Sequence, residues 1–311
     1  MAEGKVSDEE RVFHLMSQIK AMAETQNAII LAHNYQLGEI QDVADFVGDS
    51  LELSRKAAET RAEVIVFCGV HFMAETAKIL SPEKTVLLPD LNAGCPMADM
   101  ITAEQLREFK AEYPGRPVVA YVNTSAEVKA ESDICCTSAN AVKVVESLEA
   151  DEILFVPDKC LADYVASRTD KEIIAWQGFC PTHYQITPDD ILEVKAEHPT
   201  AEVVAHPECS REVLELADGI FSTSGIIRYV KQSTAREFII ATEEGLLHRL
   251  RAENPDKRFY PPTGGAICPN MKLITLEVLA SSLENLQYQI ELSVDIISRA
   301  RNAIERMIAI V

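Results

Sequence analysis

The stretch ITAEQLREFKAEYPGRPVVAYVN (101–123) returns 85 residues later as ITPDDILEVKAEHPTAEVVAHPE (186–208). Each reads as a helix, a proline-bounded turn and a strand. Thr102 and Thr187 stand where N-caps belong, and Pro188 suits a first helical position. A more degenerate copy, IKAMAETQNAIILAHNY (19–35), ends in the same kind of strand. The three strand ends fall at His33, Tyr121 and His206, with spacings of 88 and 85. Seventeen residues beyond each stands a hydroxyl: Ser50 in VGDSLE, Ser138 in CCTSAN and Thr223 in FSTSGI. Second strands follow in EVIVF (63–67), EILFV (152–156) and EFIIA (237–241). Third strands lead through KTVLLPDLNAGCP, KEIIAWQGFCP and KRFYPPTGGAICP into Cys95-Pro96, Cys180-Pro181 and Cys268-Pro269.

A unit of about 85 residues is therefore present three times, the mark of a repeat architecture. Each copy reads strand, helix, strand, helix, strand, loop. Short apolar runs between helical periods are what parallel βαβ units require when both sheet faces are covered. The predicted fold is α/β: three homologous αβα modules with short parallel sheets, set with pseudo-threefold symmetry around a central site. The expected divisions are 1–110 (an N-terminal helix plus the first module), 111–195, 196–285, and a C-terminal helix over 286–311. Ser7 with Glu10 makes a capping box for the first helix, and Val12, Leu15, Met16 and Ile19 its apolar stripe. After Cys268 the chain reads as helical to its end.

With 311 residues and a formal charge of −20, no basic stripe exists to neutralise the phosphates of a nucleic acid or an anionic membrane. A local basic pocket for a small anion stays open. MAEGKVSDEERVF has no apolar core and is not a signal peptide, and no run approaches a membrane span. A cytoplasmic location is expected. There a disulfide framework among the eight cysteines is not expected, and metal binding or catalysis competes to explain them.

Ligands of parallel α/β sheets bind at the carboxyl ends of the strands. His33, Tyr121, His206 and the three Cys-Pro loops would thus point at one centre. The other five cysteines do not recur in register. Four thiolates complete a zinc site or a fully ligated cluster, whereas three leave one position open. The residues leave three readings: a [4Fe–4S] cluster held by Cys95, Cys180 and Cys268 with one open iron acting as Lewis acid, zinc with three cysteines and a water, or a metal-free relic of triplication. Residues i and i+2 of an extended segment share a face. His33 with Tyr35, Tyr121 with Asn123, and His206 with Glu208 would then supply acid–base and hydrogen-bonding groups to one cavity. Ser138 and Thr223 resemble N-caps, which accounts for them by capping alone or makes them anion sites. PPTGG (261–265) reads as a loop that approaches a ligand or as a simple turn.

LAHNYQLGEIQDVADFVGDSLELSRKAAE, FCGVHFMAETAKIL, AYVNTSAEVKAESDICCTSANA, VPDKCLADYVA and TGGAICPNMKLITLE resemble the quinolinate synthases, iron–sulfur enzymes of NAD biosynthesis, over about residues 15–300. The resemblance implies condensation of iminoaspartate with dihydroxyacetone phosphate to quinolinate, phosphate and water, with the L-aspartate oxidase that supplies iminoaspartate as an expected partner. It implies a [4Fe–4S] cluster on Cys95, Cys180 and Cys268, its fourth iron engaging substrate. It implies a pocket of His33, Tyr35, Ser50, Tyr121, Asn123, Ser138, His206, Glu208 and Thr223, with Ser50 and Ser138 on substrate carboxylates. Tyr35, Tyr121, His206 and Glu208 are the expected catalytic groups. A cluster-dependent hydro-lyase and a non-enzymatic iron–sulfur carrier or sensor are the alternatives from other classes.

Overall fold

The computed structural model describes residues 8–310. Their strands form three separate four-stranded sheets, parallel throughout. The first holds β1 (Ala28–His33), β2 (Phe46–Gly48), β3 (Val64–Cys68) and β4 (Thr85–Leu87). The second holds β5 (Val118–Tyr121), β6 (Ile134–Cys136), β7 (Glu152–Val156) and β8 (Glu172–Ala175). The third holds β9 (Glu202–Ala205), β10 (Gly219–Ile220), β11 (Glu237–Ala241) and β12 (Arg258–Tyr260). Spatial order is the same in all three: β2-β1-β3-β4, β6-β5-β7-β8 and β10-β9-β11-β12. The inner strands are covered on both faces; every residue of β3 is buried. That is why they read as unbroken apolar runs and not as alternations.

Each sheet has one strand more than the three the repeat predicted. The additional edge strands β2, β6 and β10 are two or three residues long, too short to show a period. A repeated aspartate secures them. Asp45 Oδ2 accepts from Ile30 N–H at 2.8 Å, Asp133 Oδ2 from Val118 N–H at 2.7 Å, and Asp218 Oδ2 from Val203 N–H at 2.8 Å. In return the backbone N–H of each aspartate donates to the carbonyl of the same residue, at 2.9, 3.1 and 2.8 Å. These aspartates, like their partners, recur at 88 and 85.

A repeated lysine closes the far side. Lys171 Nζ donates to the carbonyls of Leu148 and Ala150, and Lys257 Nζ to those of Val230 and Ser233. Lys84 Nζ does the same to Thr60 O. Each cation thus meets the orphan carbonyls where a helix has just ended.

Thr102 and Thr187 cap their helices with full capping boxes, and Pro188 opens the second. Ser7, the expected cap of the first helix, lies outside the described residues. In that helix, Asp8–Thr25, Ile19 is buried and Leu15 and Met16 half-buried, but Val12 is exposed. The chain is not helical to its end. Helix Leu276–Asn285 stops at Leu286, which takes a left-handed conformation. The expected C-terminal helix begins only at Val294, capped by Ser293, and runs to Ala309. It buries Ala300, Ala303, Ile304 and Met307 against helix Ala126–Ala130 and β6. Arg55 and Asn140 bond its last carbonyls, joining it to the first two modules.

Candidate active site and metal centre

The carboxyl ends of the three sheets open onto one cavity. The first module brings His33, Tyr35, Ser50 and Cys95 to its wall, the second Tyr121, Asn123, Ser138 and Cys180, and the third His206, Glu208, Thr223 and Cys268. Every site residue expected from the sequence is present there. The five unrepeated cysteines are buried elsewhere and do not line it. No lysine or arginine lines it either, so the basic pocket left open by composition is absent from this cavity.

His33 and Tyr35 do not share an extended segment. β1 ends at His33, and a turn closed by Gln36 N–H on His33 O follows. The pairing survives by another route: Tyr35 N–H donates to His33 Nδ1 at 3.2 Å. Glu208 N–H does the same to His206 Nδ1 at 3.3 Å. A backbone N–H is only a donor, so Nδ1 of both rings accepts and the ring proton sits on Nε2. His206 Nε2 is therefore the donor toward Ser138 Oγ, 3.1 Å away. Burial lowers both imidazoles to a pKa of about 3, so they are neutral at physiological pH.

Glu208 is the hub. It is 4% exposed and accepts from the Tyr121 hydroxyl. Its Oε2 lies 2.8 Å from His183 Nδ1. Burial works to raise this carboxyl, but His183 and the hydrogen bonds from His183 and Tyr121 outweigh it and hold it well below the usual range. Burial and the Glu208 charge push the Tyr35 and Tyr121 hydroxyls well above their ordinary value. With Nδ1 donating to a carboxylate, His183 Nε2 accepts, and Thr242 Oγ1 lies 2.8 Å away. Thr242 Oγ1 is in turn 2.5 Å from the Tyr35 hydroxyl. A continuous chain thus runs Tyr35, Thr242, His183, Glu208, Tyr121, through all three modules.

The three hydroxyls are not N-caps. The capping side chain is the preceding residue: Asp49 for helix Ser50–Glu59 and Ser222 for helix Thr223–Gln232. In the second module Thr137 holds that position and bonds Ala139 N–H in a local turn. Ser50 and Thr223 become the first residues of their helices, with their hydroxyls on the cavity wall. Thr223 Oγ1 accepts from Asn34 at 2.8 Å. Two helix N-termini and their hydroxyls thus stand on the cavity wall, the first beside the Asp49 carboxylate that caps it. PPTGG is a simple turn. Gly265 N–H reaches Pro262 O at 3.1 Å, with Gly264 and Gly265 at φ of 83° and 70°, and none of its residues lines the cavity.

Each cysteine starts a short turn that aims backbone at its sulfur. The N–H groups of Met97 and Ala98 bond to Cys95, that of His183 to Cys180, and those of Asn270 and Met271 to Cys268. Burial nevertheless pushes the Cys95 thiol up to about 12, Cys180 well above its ordinary value, and Cys268 also upward. The proton is retained unless a cation replaces it. The loops are firmly held. Trp176 Nε1 donates to Met100 O at 2.9 Å. At Gly178 a Cβ would lie 2.5 Å from Pro157 O. Glu243 accepts from Cys268 N–H at 3.0 Å and from Lys272 Nζ at 2.8 Å. Asn270 reaches across to Gly94 O at 2.8 Å.

Among the described residues, Cys180, His183 and Glu208 are the only trio with ligand atoms within 4.8 Å of one another. The three cysteine sulfurs are thus not drawn together around one ion. All three residues line the one cavity, with backbone donors at each sulfur.

His183, Thr242, Glu243 and Lys272 were not expected from the sequence. For His183 and Thr242 the repeat counterparts explain why. The positions equivalent to His183 are Ala98 and Met271, and those equivalent to Thr242 are Gly69 and Pro157. A search for recurring chemistry passes over a group that one copy alone possesses. The available signal was the Cys-x-x-His spacing of Cys180 and His183.

The family described as "Quinolinate synthetase A protein" is matched over residues 17–309. A protein of Dehalococcoides mccartyi (strain ATCC BAA-2266 / KCTC 15142 / 195) named "Quinolinate synthase" is 58% identical over 301 residues, 97% of this chain and 99% of that one. "Quinolinate synthase 1" of Methanosarcina acetivorans is 55% identical over 296 residues, 95% and 97% of the two chains. The "Quinolinate synthase" of Thermodesulfovibrio yellowstonii is 55% identical over 297 residues, 95% and 98%.

Proposed function

The chain belongs to the quinolinate synthase family, and on that premise we propose that it condenses iminoaspartate with dihydroxyacetone phosphate, releasing quinolinate, phosphate and water. The observation that carries this reading is the meeting of three register-matched thiols with the Tyr35-to-Tyr121 hydrogen-bond chain in one cavity. Cys95, Cys180 and Cys268 would hold a [4Fe–4S] cluster. When bound, it supplies a Lewis acid that polarises a substrate oxygen. Iminoaspartate would come from an enzyme that oxidises aspartate.

The chain's own groups divide the remaining work. Ser50, Ser138 and Thr223, with the N-termini of helices Ser50–Glu59 and Thr223–Gln232, hold the anionic groups of the substrates. His33 Nε2–H donates to a substrate oxygen and the ring stays neutral, while His206 Nε2–H, which donates to Ser138 Oγ, orients that hydroxyl toward substrate. Asn123 Oδ1 is buried and has no partner, and it accepts from substrate. Glu208 takes a proton through Tyr121 or His183, and the His183–Thr242–Tyr35 branch returns one to a departing hydroxyl. Glu208 is ionised and in direct hydrogen-bond contact with Tyr121 and His183, so a proton can pass along either bond. The donors that keep it ionised also make it a weak base, and it holds the proton only in passing.

The test is anaerobic. Cluster-loaded protein is mixed with freshly made iminoaspartate and dihydroxyacetone phosphate, and quinolinate is measured. Protein with a full complement of iron that makes no quinolinate sinks the proposal.

A further inference from the structure

We propose that Cys180, His183 and Glu208 form a binding site for a single divalent transition-metal ion of the zinc type, separate from the three-cysteine set. The two compete because both use Cys180. The ion site stands on geometry alone; only the competition rests on the cluster reading above.

The distances are near those an ion requires. Cys180 Sγ lies 3.2 Å from His183 Nδ1, and His183 Nδ1 lies 2.8 Å from Glu208 Oε2. Tetrahedral zinc with bonds of about 2.3 Å to sulfur and about 2.0 Å to nitrogen and oxygen sets these separations at about 3.6 and 3.3 Å. Side-chain rotations that open each pair by a few tenths of an ångström suffice. All three side chains line the cavity, so a water from it could complete the arrangement of three protein ligands plus a water seen in open zinc sites. Cys180 and His183 sit on one short turn, Pro181–Tyr184 with Cys180 as its N-cap, so their spacing is set by local backbone.

Charge and support agree. The His183 and Glu208 side chains are 2% and 5% exposed. A divalent cation with one thiolate and one carboxylate is neutral overall, which a buried site favours. The second ring nitrogen of His183 already has its partner, Thr242 Oγ1 at 2.8 Å. Such a contact fixes the tautomer of a ligating imidazole. On binding, the ion displaces the Cys180 thiol proton to solvent. The His183 proton moves from Nδ1 to Nε2 and then donates to Thr242, and Glu208 enters as carboxylate. One proton is released per ion bound. The loaded protein would have lost a cluster ligand and the Glu208 proton acceptor together, leaving an inactive, mismetallated form.

The experiment titrates the cluster-free full-length protein with zinc, and with cobalt as a coloured substitute. Circular dichroism checks the fold of every variant. One tight ion per chain is expected, with a sulfur-to-cobalt charge-transfer band and release of a proton. His183→Ala and Glu208→Gln should each abolish tight binding, while Cys95→Ala and Cys268→Ala retain it. Thr242→Val should weaken binding roughly 10- to 100-fold, with recovery in Thr242→Ser. Zinc-loaded protein should also take up little iron and sulfide until a chelator removes the zinc. The proposal fails if folded wild-type protein binds no zinc. It also fails if binding survives in His183→Ala and Glu208→Gln but is lost in Cys95→Ala and Cys268→Ala, which would place the ion among the three thiols. Neither failure bears on quinolinate formation, which the cluster-loaded assay decides.

Discussion

Replacing the repeated aspartates tests whether the triplicated unit is held by the same device three times. In Asp218→Ala, Val203 loses the acceptor of its N–H at 2.8 Å. Val203 is 3% exposed, so water reaches that N–H poorly. A hydrogen bond to a charged group contributes about 1.5–3 kcal/mol, and the exposure of the carboxylate reduces this to about 1–2 kcal/mol. A loss of that size lowers Tm by roughly 1.5–3 °C in a chain of this length. Asp133→Ala should cost the same. Asp45→Ala should cost slightly more, because Asp45 also pairs with Lys20 at 2.8 Å; both are well exposed, and the pair adds at most about 1 kcal/mol. Asparagine keeps an acceptor but not the charge, so each Asp→Asn variant should recover about half of the loss. The three sites lie on separate sheets, and the triple alanine variant should be additive within about 0.5 kcal/mol. Urea and thermal unfolding followed by circular dichroism measure all of this. If asparagine costs as much as alanine, or if all three alanine variants stay within about 0.5 kcal/mol of wild type, the device is not what secures the edge strands.

Glu208→Gln should leave cluster content and fold intact but reduce kcat for quinolinate by about 10²–10⁴-fold; a loss below fivefold would remove Glu208 from proton transfer. Cys180→Ala should lose bound iron after anaerobic reconstitution while Cys160→Ala keeps it; equal losses would show that repeat register does not sort the cysteines. His206, with its folded pKa depressed to about 3 against an unfolded value of about 6.5, contributes stability that is present above pH ~6.5 and lost as pH falls toward 3. His206→Asn should flatten the stability–pH slope between pH ~6 and ~4 by roughly 1 kcal/mol per pH unit, read by urea unfolding across that range; an unchanged slope would mean His206 is not buried neutral.

Legibility divided along a physical line. Strand ends, Cys-Pro loops and cavity hydroxyls were readable because each is set by a short segment, and triplication printed each three times. The edge strands β2, β6 and β10 were not, being too short for a period, although Asp45, Asp133 and Asp218 carried the same register. The capping assignment failed by one residue at Thr223, where Ser222 caps and leaves the neighbouring hydroxyl to the cavity. The break at 286–293 was hidden because the apolar spacing continues through a stretch with neither glycine nor proline.

By itself, then, the sequence determined the repeat, the parallel α/β units and the three cysteines that share a register. Those are properties of one module, and a module's hydrophobic period and turn residues lie within its own segment. Only the tertiary structure decided which groups touch. Tyr121 meets Glu208 across 87 residues, and Tyr35 meets Thr242 across 207. It also drew His183, present in one copy alone, into the centre. Contacts between modules depend on how three packed units present their strand ends to one another, and that arrangement leaves no mark on the local pattern of any one of them.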